Sequence, residues 1–443
     1  MAHVVGTRIG AQKGLPTVDE LEHLLDVCFL GSLKFEEGRQ IRCVLAFSAR
    51  SNPDPDPPQL IRMDRWVYVG FGSHIPLTPA SLAKVAFASA PSTSAFGIHC
   101  RNGKPQIHGM FDQQGPHYDM LLFERTGGYG APGVFQIHVQ GPGHLKVMKD
   151  WTVLGELNDG ILSPRTQDAL REGPVVEFFT EAIDAHVERL VTEAKRHQKQ
   201  LDAEQIAIEA QEWIQTLRRL LVRAQAHGHG ACFLFLKSQI GRDLKLRYRV
   251  EYGRLKAAVE ARSIARIQQS VPDSELQRLL DSETELIPAL LYLDQSVASA
   301  EAEDADEATT GAIEFIATLS RIDGAVVLTD DLKVLGFGTE IVVPDTTGRV
   351  SIARTGRPRG KTSVDLSRYG TRHRSAMRYC GIYHDALALV VSEDGPVRAI
   401  RHWRRRLWLW DNLQLWDVKD WSPKMPLQLT AGRRGQSTHA RRS

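Results

Sequence analysis

The sequence predicts an α/β domain, with a central mixed sheet flanked by helices, behind a β-rich α+β amino-terminal domain and a helical connector. Three observations carry that expectation. Between Val18 and Trp151, short apolar runs are separated by Pro, Gly and Asn clusters, the pattern of short strands and turns. From Val175 to His227 neither Pro nor Gly occurs, which suits long helices. From Gly228 to about Ile400, strand-like and helix-like segments alternate, as they do when helices cover a sheet.

The elements follow in order. VDELEHLLDVCFL places Leu21, Leu24, Leu25 and Cys28 at helical spacing. IRCVLAFSA, WVYVGFG, AFGIHC and VFQIHVQGPG read as strands, and the proline-dense Ser51 to Pro58 reads as an exposed loop. These segments define a first domain over residues 1–170. The connector, 171–227, reads as one long helical stretch. Glycine then stops it, and GHGACFLFLK opens an α/β domain over 228–410 with a buried strand. RLKAAVEARSIARIQQS is helical, SELQRLLDSETELIPALLYLDQSVAS a helical pair, and the acidic run from Glu301 a surface turn before the helix GAIEFIATLSRI. DGAVVLTDDLKVLGFGTEIVV reads as a β-hairpin and RPRGKTSVDLSRYG as a polar loop. GTRHRSAMRYCGIYH is a helix entered through Gly370 and Thr371, and ALALVVSEDGPVRAI is a second hairpin turning at Glu393 to Gly395. Residues 411–443 form a Trp-rich, then basic tail, expected to be disordered after Pro426.

Composition bounds the function class. With 443 residues, 42% hydrophobic and 24% charged, the chain has the makeup of a multidomain globular protein. No apolar stretch reaches the roughly eighteen residues that a membrane span requires, and the first residues lack the apolar core of a secretory leader. No membrane partner and a cytoplasmic location are therefore expected. Five scattered cysteines without a CxxC pair argue against a disulfide framework or structural zinc. The net charge of +2 hides an asymmetry: from Arg398 onward, eleven Lys or Arg face three Asp.

Three short constellations bear chemistry, each at a strand end or helix start. Asp323-Gly324-Ala325 pairs a carboxylate with small residues that let a planar ligand approach the backbone. Gly370-Thr371-Arg372-His373-Arg374 brings bidentate donors and unpaired N–H groups to a helix start, which suits a polyphosphate. Ser392-Glu393-Asp394-Gly395 follows a buried strand with a hydroxyl and two carboxylates. Taken singly, each is also explained by an ordinary turn or a solvated basic segment.

As a set and in this order, the three motifs resemble the diadenylate cyclase domain, the nucleotide-binding domain of the DNA-integrity-scanning protein and of the membrane cyclases that make cyclic di-AMP. The likeness spans the best part of Ile322 to Ile400, and GHGACFLFL resembles the family's opening strand. The helical stretch before Asp323 is longer than in compact members. The resemblance implies that two ATP molecules condense to cyclic di-AMP with release of two pyrophosphates, in a homo-oligomer whose cyclase domains face each other. It further implies that Asp323 binds Mg²⁺ or Mn²⁺ and activates the 3′-hydroxyl. Thr371, Arg372, His373 and Arg374 would cradle phosphates, with Gly324, Ala325 and Gly370 beside the nucleotide. Ser392 would bond the triphosphate, and Glu393 or Asp394 would complete the metal shell. The alternative is a regulatory protein that binds a nucleotide or dinucleotide without catalysis.

LEHLLDVCFLGSLKFEEGRQIRCVLAF and AFGIHCRNGKPQIHGMF resemble the sensor domain that precedes the cyclase in one branch of this family, which implies ligand-controlled output through the connector. The histidines at 99, 108, 117, 138 and 144 lack metal-site spacing and read as strand-face or surface residues. Trp403, Trp408, Trp410, Trp416 and Trp421, interleaved with Arg404, Arg405 and Arg406, fit nucleic-acid contact less well than packing on the cyclase domain.

Overall fold

The computed structural model describes residues 1–9, 15–48, 67–90, 93–112, 134–149, 152–158, 161–163, 169–196, 199–237, 241, 243–282, 287–344, 349–359, 362–393, 396–413 and 415. The Ser51–Pro58 loop, His117, Asp394, Trp416, Trp421 and the residues after Pro426 lie outside them.

The amino-terminal half holds α1 (Ala2–Ile9), α2 (Val18–Ser32), β1 (Phe35–Glu36), β2 (Arg39–Gln40), β3 (Cys43–Phe47), β4 (Val67–Pro76), α3 (Pro79–Val85), β5 (Ser94–Arg101), β6 (Lys104–Asp112), β7 (Phe135–Gly141), β8 (His144–Lys149), β9 (Thr152–Asn158) and β10 (Ile161–Ser163). Thr17 starts α2 with a capping box: its hydroxyl accepts from the Glu20 N–H, and Glu20 accepts from the Thr17 N–H. Eight strands form one mixed sheet in the order β10-β9-β8-β7-β3-β5-β6-β4. Leu21, Leu24, Leu25 and Cys28 of α2 are buried in a core shared with Leu45, Phe96 and Ile137 of that sheet.

Three helices follow: α4 (Pro174–Glu177), α5 (Thr180–Arg196) and α6 (Ala203–Ala226). The expected single helical stretch is thus divided, and Asp202 is the physical reason. It caps α6, accepting from the Gln205 N–H at 2.8 Å, while the Gln205 side chain accepts from the Asp202 N–H at 3.1 Å.

The carboxy-terminal half contains β11 (Ala231–Leu236), β12 (Leu244–Lys245), β13 (Tyr248–Tyr252), α7 (Arg254–Asp281), α8 (Ala289–Leu319), β14 (Ala325–Thr329), β15 (Val334–Ile341), β16 (Arg349–Ala353), β17 (Ser363–Asp365), α9 (Thr371–Ile382), β18 (Ala386–Val391), β19 (Val397–Trp403) and β20 (Arg406–Trp410). Nine of its strands run β12-β15-β14-β11-β18-β19-β20-β16-β17, and β13 pairs with β15. The sheet is mixed, because β11 is parallel to β14 and β16 to β20 while the other pairs are antiparallel. The fold is α/β, and both large sheets are mixed, beside a two-stranded antiparallel pair of β1 and β2.

Alternation along β11 shows how the sheet is covered. Phe233 and Phe235 pack with Phe179, Trp213, Leu217 and Ile316, which come from the connector and α8. Cys232, Leu234 and Leu236 pack on the other face with Ala376, Met377 and Cys380 of α9. A strand buried on both faces must be apolar at every position, which is why ACFLFL shows no alternation. The connector is therefore one of the layers that cover the sheet.

Three other expectations are corrected, on the acidic run, on the extent of a helix and on the polar loop. The acidic run from Glu301 lies inside α8, since Asp306 pairs with Arg262 Nε at 2.5 Å and Thr309 is fully buried. The helical reading of RLKAAVEARSIARIQQS extends through Pro272 to Asp281 as one helix. The polar loop at 357–370 carries β17 and a short 3₁₀ turn over Leu366–Arg368. Trp408 and Trp410 are buried on β20, and Arg404 and Arg405 form the exposed turn before it. Cys28, Cys43, Cys232 and Cys380 are buried free thiols, and Cys100 is half-buried. Among the described residues no helix is long and apolar enough to cross a membrane.

Candidate functional site

A cavity of about 820 Å³ opens where β14, α9 and the end of β18 converge. Asp323, Gly324, Ala325, Gly370, Thr371, Arg372, His373, Ser392 and Glu393 all line it. Residues from three separated motifs thus share one wall. Arg374 is the exception: it occupies the same helical turn without lining the cavity, and its Nε is buried without a hydrogen-bond partner. Asp394 falls outside the described residues.

Backbone constraints build this wall. Gly324 sits at φ +113, where a Cβ would lie 2.6 Å from the Gly338 carbonyl carbon and 2.7 Å from Thr339 N. Only glycine lets the start of β14 cross β15 so closely. Gly370 begins α9 without a side-chain cap, so the first-turn N–H groups are free to bind an anion. Gly230, just before β11, leaves the space that the Arg372 guanidinium fills, because a Cβ there would collide with Nη1.

Charge is arranged across the opening. Arg372 Nη2 is 3.6 Å from Asp323 Oδ1, and the Asp323 side chain is 95% exposed, so its oxygens face the solvent that a ligand would displace. Arg368 and Arg398 add positive charge to the lining, and Glu340 and Glu393 add negative charge.

His373 does not carry the positive charge that its arginine neighbours suggest. Burial, then Arg398, push its imidazole down to about 4, which leaves it neutral near pH 7. Its Nε2 lies 3.2 Å from both Ser392 Oγ and Arg398 Nη1. Since a guanidinium can only donate, Nε2 accepts and the ring proton resides on Nδ1.

Sequence reasoning missed several members. Arg398, counted with the basic tail, lines the cavity, donates to Ser392 Oγ, and is held by Asp411 through Nε to Oδ1 at 2.6 Å. Thr339 lines the cavity at 1% exposure, with its hydroxyl buried and unpaired. Tyr369 packs near the His373 ring at 6.1 Å and under the Arg398 guanidinium at 6.0 Å. The only available signal was strand register: Val390 pairs with Arg398, and Ala325 with Thr339.

Away from this cavity, His99 and His108 are buried on β5 and β6, and their rings, with that of His74, lie 5.1 to 6.3 Å apart. His108 bonds Ser48 Oγ at 2.9 Å and Tyr68 Oη at 2.8 Å. Among the described residues no group of three or more His, Cys, Asp or Glu is arranged to hold a metal ion.

Residues 11–112 match the family model described as probable sensor domain DACNV, a domain found in diadenylate cyclase-associated proteins. The match ends with β6 and contains both amino-terminal segments singled out above. No cyclase-domain model matches the chain. No curated protein and no solved structure matches it either.

Proposed function

We propose that this chain is a diadenylate cyclase governed by its amino-terminal domain. The observation that supports this above others is the shared cavity, which gathers Asp323, the uncapped start of α9 with Arg372, and Ser392. The sensor-model match at residues 11–112 adds an independent link to cyclase regulation.

In this reading each protomer holds one ATP, and two copies face each other across a twofold axis. The 3′-oxygen of one nucleotide attacks the α-phosphorus of the other, the bond to the β,γ-pyrophosphate breaks, and its electron pair leaves with pyrophosphate. Asp323 takes the hydroxyl proton. Arg372 and the first N–H groups of α9 hold the phosphates, while Arg398 fixes Ser392 beside them. Such chemistry demands alignment and positive charge more than covalent participation.

The donor set fits a hard cation held in part by substrate. Three-ligand clusters are absent among the described residues, and Mg²⁺ commonly rests on one or two carboxylates plus nucleotide phosphates. Asp323, with Glu393 on the same lining, would hold Mg²⁺ or Mn²⁺. Such an ion supplies charge neutralisation on the phosphates.

Incubating the purified chain with ATP and Mn²⁺ and separating the products by chromatography tests the reading. Cyclic di-AMP with two equivalents of pyrophosphate is the expected result. Saturable ATP binding without that product would instead identify a non-catalytic nucleotide-binding regulator, and absence of binding would remove both.

A further inference from the structure

Asn412 follows β20 by two residues and adopts φ +54, a left-handed conformation that Asn tolerates better than most residues. Its Nδ2 donates to Glu156 Oε2 at 2.8 Å. Glu156 belongs to β9, next to the edge strand of the amino-terminal sheet. Asp411, its neighbour, faces the other way in function. The β19–β20 hairpin pairs Ala399 with Trp410, and the next cross-strand contact is Arg398 Nε to Asp411 Oδ1 at 2.6 Å. Arg398 donates through Nη1 to Ser392 Oγ and sits 3.2 Å from His373 Nε2. The segment is stitched down beyond this point: the Leu413 N–H donates to Val397 O at 2.7 Å, and Leu413 and Leu415 are buried. Two consecutive residues therefore hold the amino-terminal sheet with one side chain and the cavity wall with the other.

We propose that Asp411-Asn412 is the joint through which the amino-terminal domain sets the cavity, Asp411 being a positioning residue that acts through Arg398. The consequence for turnover rests on the cyclase reading, whereas the contacts do not. Because the Asn412 side chain is bonded to β9 and the next residue is held to Val397, displacement of β9 reorients the peptide that carries Asp411. Arg398 carries the hydrogen-bonded link from Asp411 to Ser392 and His373, so loss of its carboxylate partner loosens both.

Coupling of this kind needs direct evidence, for which a double-mutant cycle is suited. Amide hydrogen exchange is measured on the full chain and on Glu156→Ala, Asn412→Ala and the double variant. Each single change is expected to speed exchange at the Ser392 amide about fivefold, and the double variant no further. Exchange at Phe233, in the same sheet, stays at the parental rate. Glu156→Gln keeps an acceptor oxygen and restores parental exchange at Ser392. With ATP and Mn²⁺, the Ala variants raise KM while kcat is retained. Unchanged exchange at Ser392, multiplicative effects in the double variant, or an equal rise at Phe233 would each overturn the joint. A parental chain that makes no cyclic di-AMP would refute the cyclase reading instead, and the exchange measurements would still decide the coupling.

Discussion

Arg372 reaches from the first turn of α9 to within 3.6 Å of Asp323, the residue that precedes Gly324 at the start of β14. The acidic strand tip and the cationic helix start therefore flank one opening, as a site for a phosphorylated ligand requires. Their pairing holds the guanidinium over the cavity. An incoming phosphate competes with a carboxylate for the same donor.

Asp323→Asn should abolish cyclic di-AMP formation and leave the fold intact, because the side chain is 95% exposed and packs against nothing that stabilises the sheet. Product chromatography together with far-ultraviolet circular dichroism checks this. Parental turnover by the variant would show that Asp323 has no chemical role.

Gly230→Ala tests Arg372 without touching it. The added methyl occupies the guanidinium's place, so Arg372 must swing away, and KM for ATP should rise about tenfold, roughly the value of one charge-assisted hydrogen bond. Steady-state kinetics and nucleotide titration report the change. An unaltered KM would mean that Arg372 binds no phosphate.

Thr339→Val replaces a buried hydroxyl that lacks a partner with a methyl of similar shape. The free protein should be as stable as the parent or more so, since an unsatisfied polar group is removed. Nucleotide affinity should fall by about threefold to tenfold if the hydroxyl bonds the ligand. Thermal melting with and without ATP separates the two effects. Equal losses in both would mark Thr339 as purely structural.

Acid should expose the buried histidine. His373 is held at about 4 by burial and by Arg398, against an ordinary value near 6.5. Between those values the unfolded chain binds a proton that the folded chain refuses. The stability tied to neutral His373 is thus complete above about pH 6.5 and is lost as pH falls toward 4. His373→Gln should be less stable than the parent at pH 7, and the gap should narrow by about 1.4 kcal/mol per unit below pH 6.5. Denaturant melts at pH 7 and pH 5 measure it, and a constant gap would show that the ring titrates normally.

The site's skeleton was legible because its parts are local. A strand start, a helix start and a strand end each announce themselves through a few adjacent residues, and Asp323, Arg372, His373 and Ser392 stand on such points. Arg398 and Thr339 do not. They enter the cavity through hairpin register, which brings residues into contact across a turn and leaves no mark in either strand alone. Arg219 and Arg262 show the same limit in the helices. They are only 2% and 4% exposed, because Glu212 and Asp306 meet them where α6, α7 and α8 pack together. The acidic run from Glu301 misled for the same reason.

Sequence alone determined the broad alternation of strand-rich and helical segments, the burial of β11 and the identity of the chemical groups, since these follow from periodicity and turn chemistry within short windows. Tertiary structure decided that three motifs line one cavity, that His373 is neutral there while Arg398 is recruited from beyond a hairpin, and that Asn412 touches the amino-terminal sheet. The physical reason is that desolvation and charge pairing depend on which distant surfaces close over a residue, and that is settled only when the layers pack.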